Sequence, residues 1–170
     1  MTSIAINPQS HKLLWSHLLP DNTEREQAAF MFAKTTDLSE GSQLVVEAIR
    51  LLNQDDFLIH RGDQIELADA CRSSVIKEAH DRDAVLIEIH SHPFPWPAQF
   101  SYADYLGLRE TVPHMLWRLP SRPYVALVAA PTGFDGLLWS ESFAAPTPLN
   151  AMIVGSQRHI PSNLSMELWK

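Results

Sequence analysis

With 170 residues, 45% hydrophobic and 19% charged, the chain is long enough for one domain with its own core and too apolar to stay disordered. Thirteen basic against twenty acidic residues give a formal charge of -7 with no Lys/Arg cluster, which argues against a nucleic-acid partner. Cys71 is the single cysteine, so a disulfide framework and a cysteine zinc cluster are both excluded; no basic-then-apolar leader and no run near ~20 apolar residues occurs, and a cytoplasmic protein without a membrane segment is expected.

No internal repeat or low-complexity run interrupts the chain. The opening HKLLWSHLLP, residues 11–20, reads as a short strand or a helical turn closed by Pro20, and residues 21–23 as a turn into EREQAAFMFAK, where periodicity does not separate helix from strand. Residues 44–52, LVVEAIRLL, are β-branched and apolar, and FLIHRGDQIEL predicts two strands about a turn at Arg61-Gly62-Asp63. Residues 68–82 predict a helix with Ala70, Ser74, Val75 and Ala79 turned inward and Arg72, Lys77 and Glu78 outward.

Residues 84–90, AVLIEIH, form the short continuous apolar run of a strand buried on both faces. A proline-rich loop follows, and Ser101 then caps a helix expected to stop before Pro113, which lacks an N–H and restricts the residue before it. Residues 123–130 and 137–143 suggest a hairpin around Pro131, Gly133 and Gly136; residues 144–149 read as a loop and 151–155 as a last strand.

The chemistry concentrates in HSHPFPWPAQFSYAD, residues 90–104. On a strand, His90 and His92 project to one face, so two imidazole nitrogens converge, and zinc accepts such donors with a carboxylate as third ligand and a position left over. Asp104 lies three residues after the capping Ser101, in the first turn of the helix. Each part has an ordinary reading: Ser-x-x-Asp starts many helices, and a histidine pair is often just a satisfied polar pair.

Together, His90-Ser91-His92-Pro93 and Ser101-Tyr102-Ala103-Asp104 resemble the JAB/MPN (JAMM) metalloprotease motif, with the apolar strand VLIEI leading into it. Eight residues separate His92 from Ser101, one more than the family pattern. The resemblance implies a single α/β domain of the cytidine-deaminase-like type, with a mixed, mostly antiparallel curved sheet flanked by helices. It spans a core of about residues 12–155, followed by a tail, 156–170. It further implies one Zn2+ held by His90, His92 and Asp104, with Ser101 helping to hold the oxyanion. The upstream family glutamate, the general base, falls best on Glu26, before the small and then apolar run Ala28-Ala29-Phe30-Met31; Glu24 is the fallback, and a capping box with Thr23 is the ordinary alternative for Glu26.

The likeness is greatest to prokaryotic JAB proteins that accompany ubiquitin-like conjugation enzymes. The implied activity is therefore cleavage after the C-terminal tail of a ubiquitin-like protein, in its precursor or its conjugates, with E1/E2-like enzymes as possible further partners. The tail would pair along a sheet edge, and Trp96 and Phe100 in the stiff loop 94–100 would contact substrate, unless they simply pack under it. Trimming of a sulfur-carrier protein, or a non-catalytic scaffold of the same type, are the alternatives.

Overall fold

A computed structural model describes residues 1–61, 64–142 and 144–170. The chain runs β1 (Thr2–Ile6), α1 (Pro8–Leu18), β2 (Ala28–Leu38), β3 (Gly41–Leu51), β4 (Phe57–Arg61), β5 (Gln64–Leu67), α2 (Asp69–Asp81), β6 (Val85–Ser91) and α3 (Tyr102–Arg118). It continues through β7 (Tyr124–Ala130), β8 (Gly133–Trp139), β9 (Thr147–Pro148), β10 (Ala151–Val154) and β11 (Gln157–His159), and closes on a 3-10 turn, Ser165–Trp169. One sheet has the order β11-β10-β1-β3-β2-β6-β7-β8-β9, and β4 and β5 form a separate hairpin. β1 runs parallel to β10 and β3, and β6 parallel to β7, whereas the other pairs are antiparallel. The fold is thus α/β, a curled mixed sheet with three flanking helices.

The central strands are apolar over residues 28–33, 85–87 and 124–130 because both faces are covered there. Alternate residues Phe30 and Phe32 of β2, Leu86 of β6 and Ala126 and Val128 of β7 join the cluster that α2 and α3 close. Their neighbours Ala29, Met31, Ile87, Ile89 and Leu127 join the opposite cluster, with Leu14 and Leu18 of α1. This period-two division fixes which residues of β6 face the α3 side, and His90 is among them.

Several elements differ from the sequence expectation. Residues 8–18 are a full helix: the Asn7 side chain accepts the Ser10 N–H at 2.8 Å and Pro8 occupies the first turn, a start signal lying just ahead of the stretch read as ambiguous. β1, before it, lies inside the sheet between β10 and β3, a strand the sequence reading did not pick out. On α2 the buried face is Cys71, Val75, Ile76 and Ala79, while Ala70 and Ser74 are exposed, because the docked stripe follows the larger apolar side chains. α3 does not stop before Pro113 but runs to Arg118. A helix-interior proline costs ~3 kcal/mol. Continuing the stripe Leu108–Val112–Met115–Leu119 buries two further large side chains worth ~1.5–3 kcal/mol each, which offsets it.

The β7–β8 hairpin turns at residues 131–132, and Gly136 lies within β8 rather than in the turn. β8 ends at Trp139, short of the strand expected to residue 143; Phe143 itself, like Gly62 and Asp63 of the expected turn, lies outside the described residues. Among the described residues no helix is long and apolar enough to cross a membrane.

Candidate metal centre

The end of β6 is held on both sides. The Ser91 N–H donates to the Gln27 carbonyl at 2.9 Å, the Gln27 N–H donates to Ser91 Oγ at 2.9 Å, and the His92 N–H donates to the Ala129 carbonyl at 2.8 Å. Ser91 is fully buried between the two histidines, which leaves both imidazoles on the opposite face. Their Nε2 atoms lie 3.2 Å apart.

α3 brings the carboxylate. Ser101 is its N-cap, with Oγ accepting the Asp104 N–H at 3.1 Å, while Asp104 Oδ2 accepts the Ser101 N–H at 2.7 Å and the Ser101 hydroxyl at 2.8 Å. This reciprocal cap turns Asp104 back over the strand end. Its Oδ1 is 3.4 Å from His90 Nε2 and its Oδ2 is 3.2 Å from His92 Nε2.

These separations test the site against zinc. Four ligands at ~2.0–2.1 Å in tetrahedral array stand about 3.3–3.4 Å apart. His90 faces Oδ1 and His92 faces Oδ2 of the same carboxylate, and these N–N and N–O separations of 3.2–3.4 Å are close to one tetrahedral edge, with one ligand atom from each residue lying within 4.8 Å of the others. His90, His92 and Asp104 form a group of described residues able to hold a metal ion.

Electrostatics reinforce the grouping. At Asp104 burial favours the neutral acid, but the His90 charge and hydrogen bonds from His90, His92 and the Ser101 backbone outweigh it and hold the carboxyl far below the usual range. At His90 burial works against the cation, and Asp104, then Glu26 and Glu88, raise its pKa above the ordinary value. A pocket that draws positive charge onto an imidazole in this way also draws a metal cation.

Glu26 meets the group from the segment before β2. Its Oε1 is 3.5 Å from His92 Nε2 and its side chain is only 13% exposed. No helix begins at Thr23, whose hydroxyl instead accepts the Arg25 N–H at 3.2 Å, so the capping-box alternative for Glu26 is not what forms. Glu24 lies on the wall of the adjoining cleft.

That cleft, about 960 Å³, is walled by residues 22–26 on one side and by Phe94, Trp96, Pro97, Gln99 and Ser101 on the other, with His92 at its base. Trp96 is 71% exposed on its rim. Phe100, expected beside it as a substrate contact, is instead 2% exposed: its ring lies 5.7 Å from that of His90 within the α3-side core, so it backs the ligand and does not face the cleft. The edge strands β11 and β9 of the main sheet contribute no residue to the cleft.

Three groups near the site were not picked out from the sequence. Glu88, two residues before His90 on the same face, accepts a hydrogen bond from the Tyr124 hydroxyl, and burial pushes its carboxyl above the usual range despite that bond. The visible signal was an acid in an otherwise apolar strand. His60 hydrogen-bonds the Glu26 carbonyl. Asp135, fully buried on β8, accepts backbone N–H groups from Gly136, Asn163 and Ser165. Cys71, expected as a small buried residue, is one; burial, then Asp56, push its thiol up to about 11, which suits no nucleophile.

No protein-family model matches the sequence, and no curated protein is similar to it. Among solved structures, the fold is similar to the solution structure of protein DSY2949 from Desulfitobacterium hafniense, with a TM-score of 0.54 and 16% identity over 91% of this chain and 94% of that one. At that identity the likeness concerns the fold.

Proposed function

We propose that this chain is a cytoplasmic zinc isopeptidase of the JAB/MPN type, which hydrolyses the amide bond after the C-terminal tail of a ubiquitin-like protein. The observation that carries the reading is two imidazoles and a carboxylate whose facing nitrogen and oxygen atoms lie 3.2–3.4 Å apart, close to a tetrahedral edge, with a further carboxylate side chain 3.5 Å from one of them. His90, His92 and Asp104 hold the ion. Bound there, zinc supplies Lewis acidity and a water of lowered pKa.

Glu26 takes the proton of the attacking water and passes it to the departing amine, so the acyl carbon gains the water oxygen as its C–N bond breaks. The products are a free C-terminal carboxylate and a lysine or α-amine. The Ser101 hydroxyl, which donates to Asp104 Oδ2 at 2.8 Å in the resting arrangement, turns to the carbonyl oxygen as it gains negative charge, and a donor so placed is worth ~3 kcal/mol. The cleft beside the donors is large enough for several residues of extended tail, and the exposed Trp96 on its rim offers an apolar contact.

The test is incubation with a C-terminally extended ubiquitin-like protein from the same genome. A chelator-sensitive cut at the end of the tail is expected, and Glu26→Gln should bind one zinc per chain yet cut more than about 100-fold slower. Metal-loaded protein that cuts no such extension or conjugate refutes the reading.

A further inference from the structure

The peptide unit joining Glu26 to Gln27 is gripped at both ends. Its N–H, on Gln27, donates to Ser91 Oγ of β6 at 2.9 Å, and its carbonyl, on Glu26, accepts from His60 Nε2 at 2.7 Å. The two grips come from different bodies: Ser91 belongs to the main sheet, His60 to the separate β4–β5 hairpin. A carbonyl only accepts, so Nε2 carries the proton of that bond. The ring is steadied by its face, stacked 4.2 Å from buried Phe57.

A peptide plane pinned at both its hydrogen-bonding groups has little freedom to rotate, and that rotation is what would swing the Glu26 side chain away from His92. β2 begins only at Ala28, so its ladder with β6 does not itself hold Glu26.

We propose that His60 is a positioning residue for the Glu26 carboxylate: by holding the Glu26 carbonyl, it keeps Oε1 against the His92 edge of the metal centre. The proposal rests on Glu26 acting as the base, as argued above. His60 itself is neither one of the donors nor one of the residues that line the cleft.

Two substitutions separate the hydrogen bond from the packing. His60→Phe keeps a ring on Phe57 but has no donor; His60→Gln keeps a donor at the reach of Nε2 but has no ring. Each is assayed on ubiquitin carrying a fluorogenic C-terminal amide, alongside zinc content, and crystallised. In His60→Phe the Glu26–His92 separation should open beyond its 3.5 Å and kcat should fall roughly 100-fold, the loss that about 1 Å of misplacement brings, with KM and one zinc per chain kept. His60→Gln should restore both separation and turnover. Glu26 unmoved in His60→Phe, or His60→Gln as impaired as His60→Phe, overturns the proposal. If the wild-type protein cleaves no such substrate, the isopeptidase reading fails, and the crystal structures of the two variants still decide the role of His60.

Discussion

Asp104→Ala separates the two tasks of one carboxylate. Without metal, Asp104 Oδ2 completes the cap of α3 by accepting the Ser101 N–H and hydroxyl at 2.7 and 2.8 Å. Losing a cap costs about 1 kcal/mol, and for a chain of this size each kcal/mol lowers Tm by ~2–4 °C. With zinc at a hundredfold over its Kd, binding to the native state adds ~2.7 kcal/mol, a rise of roughly 5–11 °C. Removing one of three ligands should weaken zinc by more than the ~10–100-fold that loss of a supporting hydrogen bond brings, so nearly all of that rise disappears. Ser101→Ala is the control, since it loses the same cap through Oγ but keeps all three donors. Thermal melts in chelator and in zinc should find a full zinc increment in Ser101→Ala and nearly none in Asp104→Ala, which in chelator is the less stable of the two because it also loses its contacts to His90 and His92. An undiminished increment in Asp104→Ala, or a lost one in Ser101→Ala, refutes the assignment of the donors.

The zinc increment should also depend on pH. In the metal-free protein the pKa of His90 is raised, so its contribution is fully present below the unfolded value near 6.5 and is lost as pH rises through the folded one. Asp104 is depressed, so its contribution is present above ~3.9 and is lost as pH falls through its folded value. Zinc binding displaces the His90 proton, so melts with and without metal should diverge as pH rises from about 6 to 8, and a constant gap would contradict this. Asp135→Ala should cost more than about 3 kcal/mol, because three backbone N–H groups at 2.8–3.1 Å lose a buried acceptor; faster hydrogen exchange at Asn163 and Ser165 together with a lowered Tm would report it.

What could be read from the chain depends on distance along it. The histidine pair and Asp104 are fixed by local rules, strand alternation and a three-residue cap offset, within fifteen residues, and the structure keeps both rules. Glu26 lies 64 residues before His90, and only the resemblance to a family motif nominated it, through the small and then apolar run that follows it more closely than it follows Glu24. His60, Tyr124 and Asp135 act through partners far away in sequence, so no window around them carries a signal. The helix at residues 8–18 was legible from Asn7-Pro8, whereas the passage of α3 through Pro113 was not, since it depends on what the stripe beyond the proline is packed against.

The loop between His92 and Ser101 is anchored to the rest of the fold on the side next to the donors. Three hydroxyls tie it down: Thr132 donates to the Trp96 carbonyl at 2.9 Å, Ser162 to the Ala98 carbonyl, and Ser165 Oγ accepts the Phe100 N–H at 2.9 Å. Ala98 and Phe100 are buried while residues 94–97 are exposed, so the last residues before Ser101 are held against the fold and the outer part of the loop lies at the surface. Ser162 and Ser165 are themselves placed by the segment that Asp135 anchors through Asn163 and Ser165. The position of Asp104 therefore depends on a buried acid of β8 acting through the C-terminal segment and the loop, and Asp135→Ala should lower zinc affinity as well as Tm. Isothermal titration of that variant below its melting range measures this directly, and wild-type affinity there would mean that the α3 cap alone sets the ligand geometry.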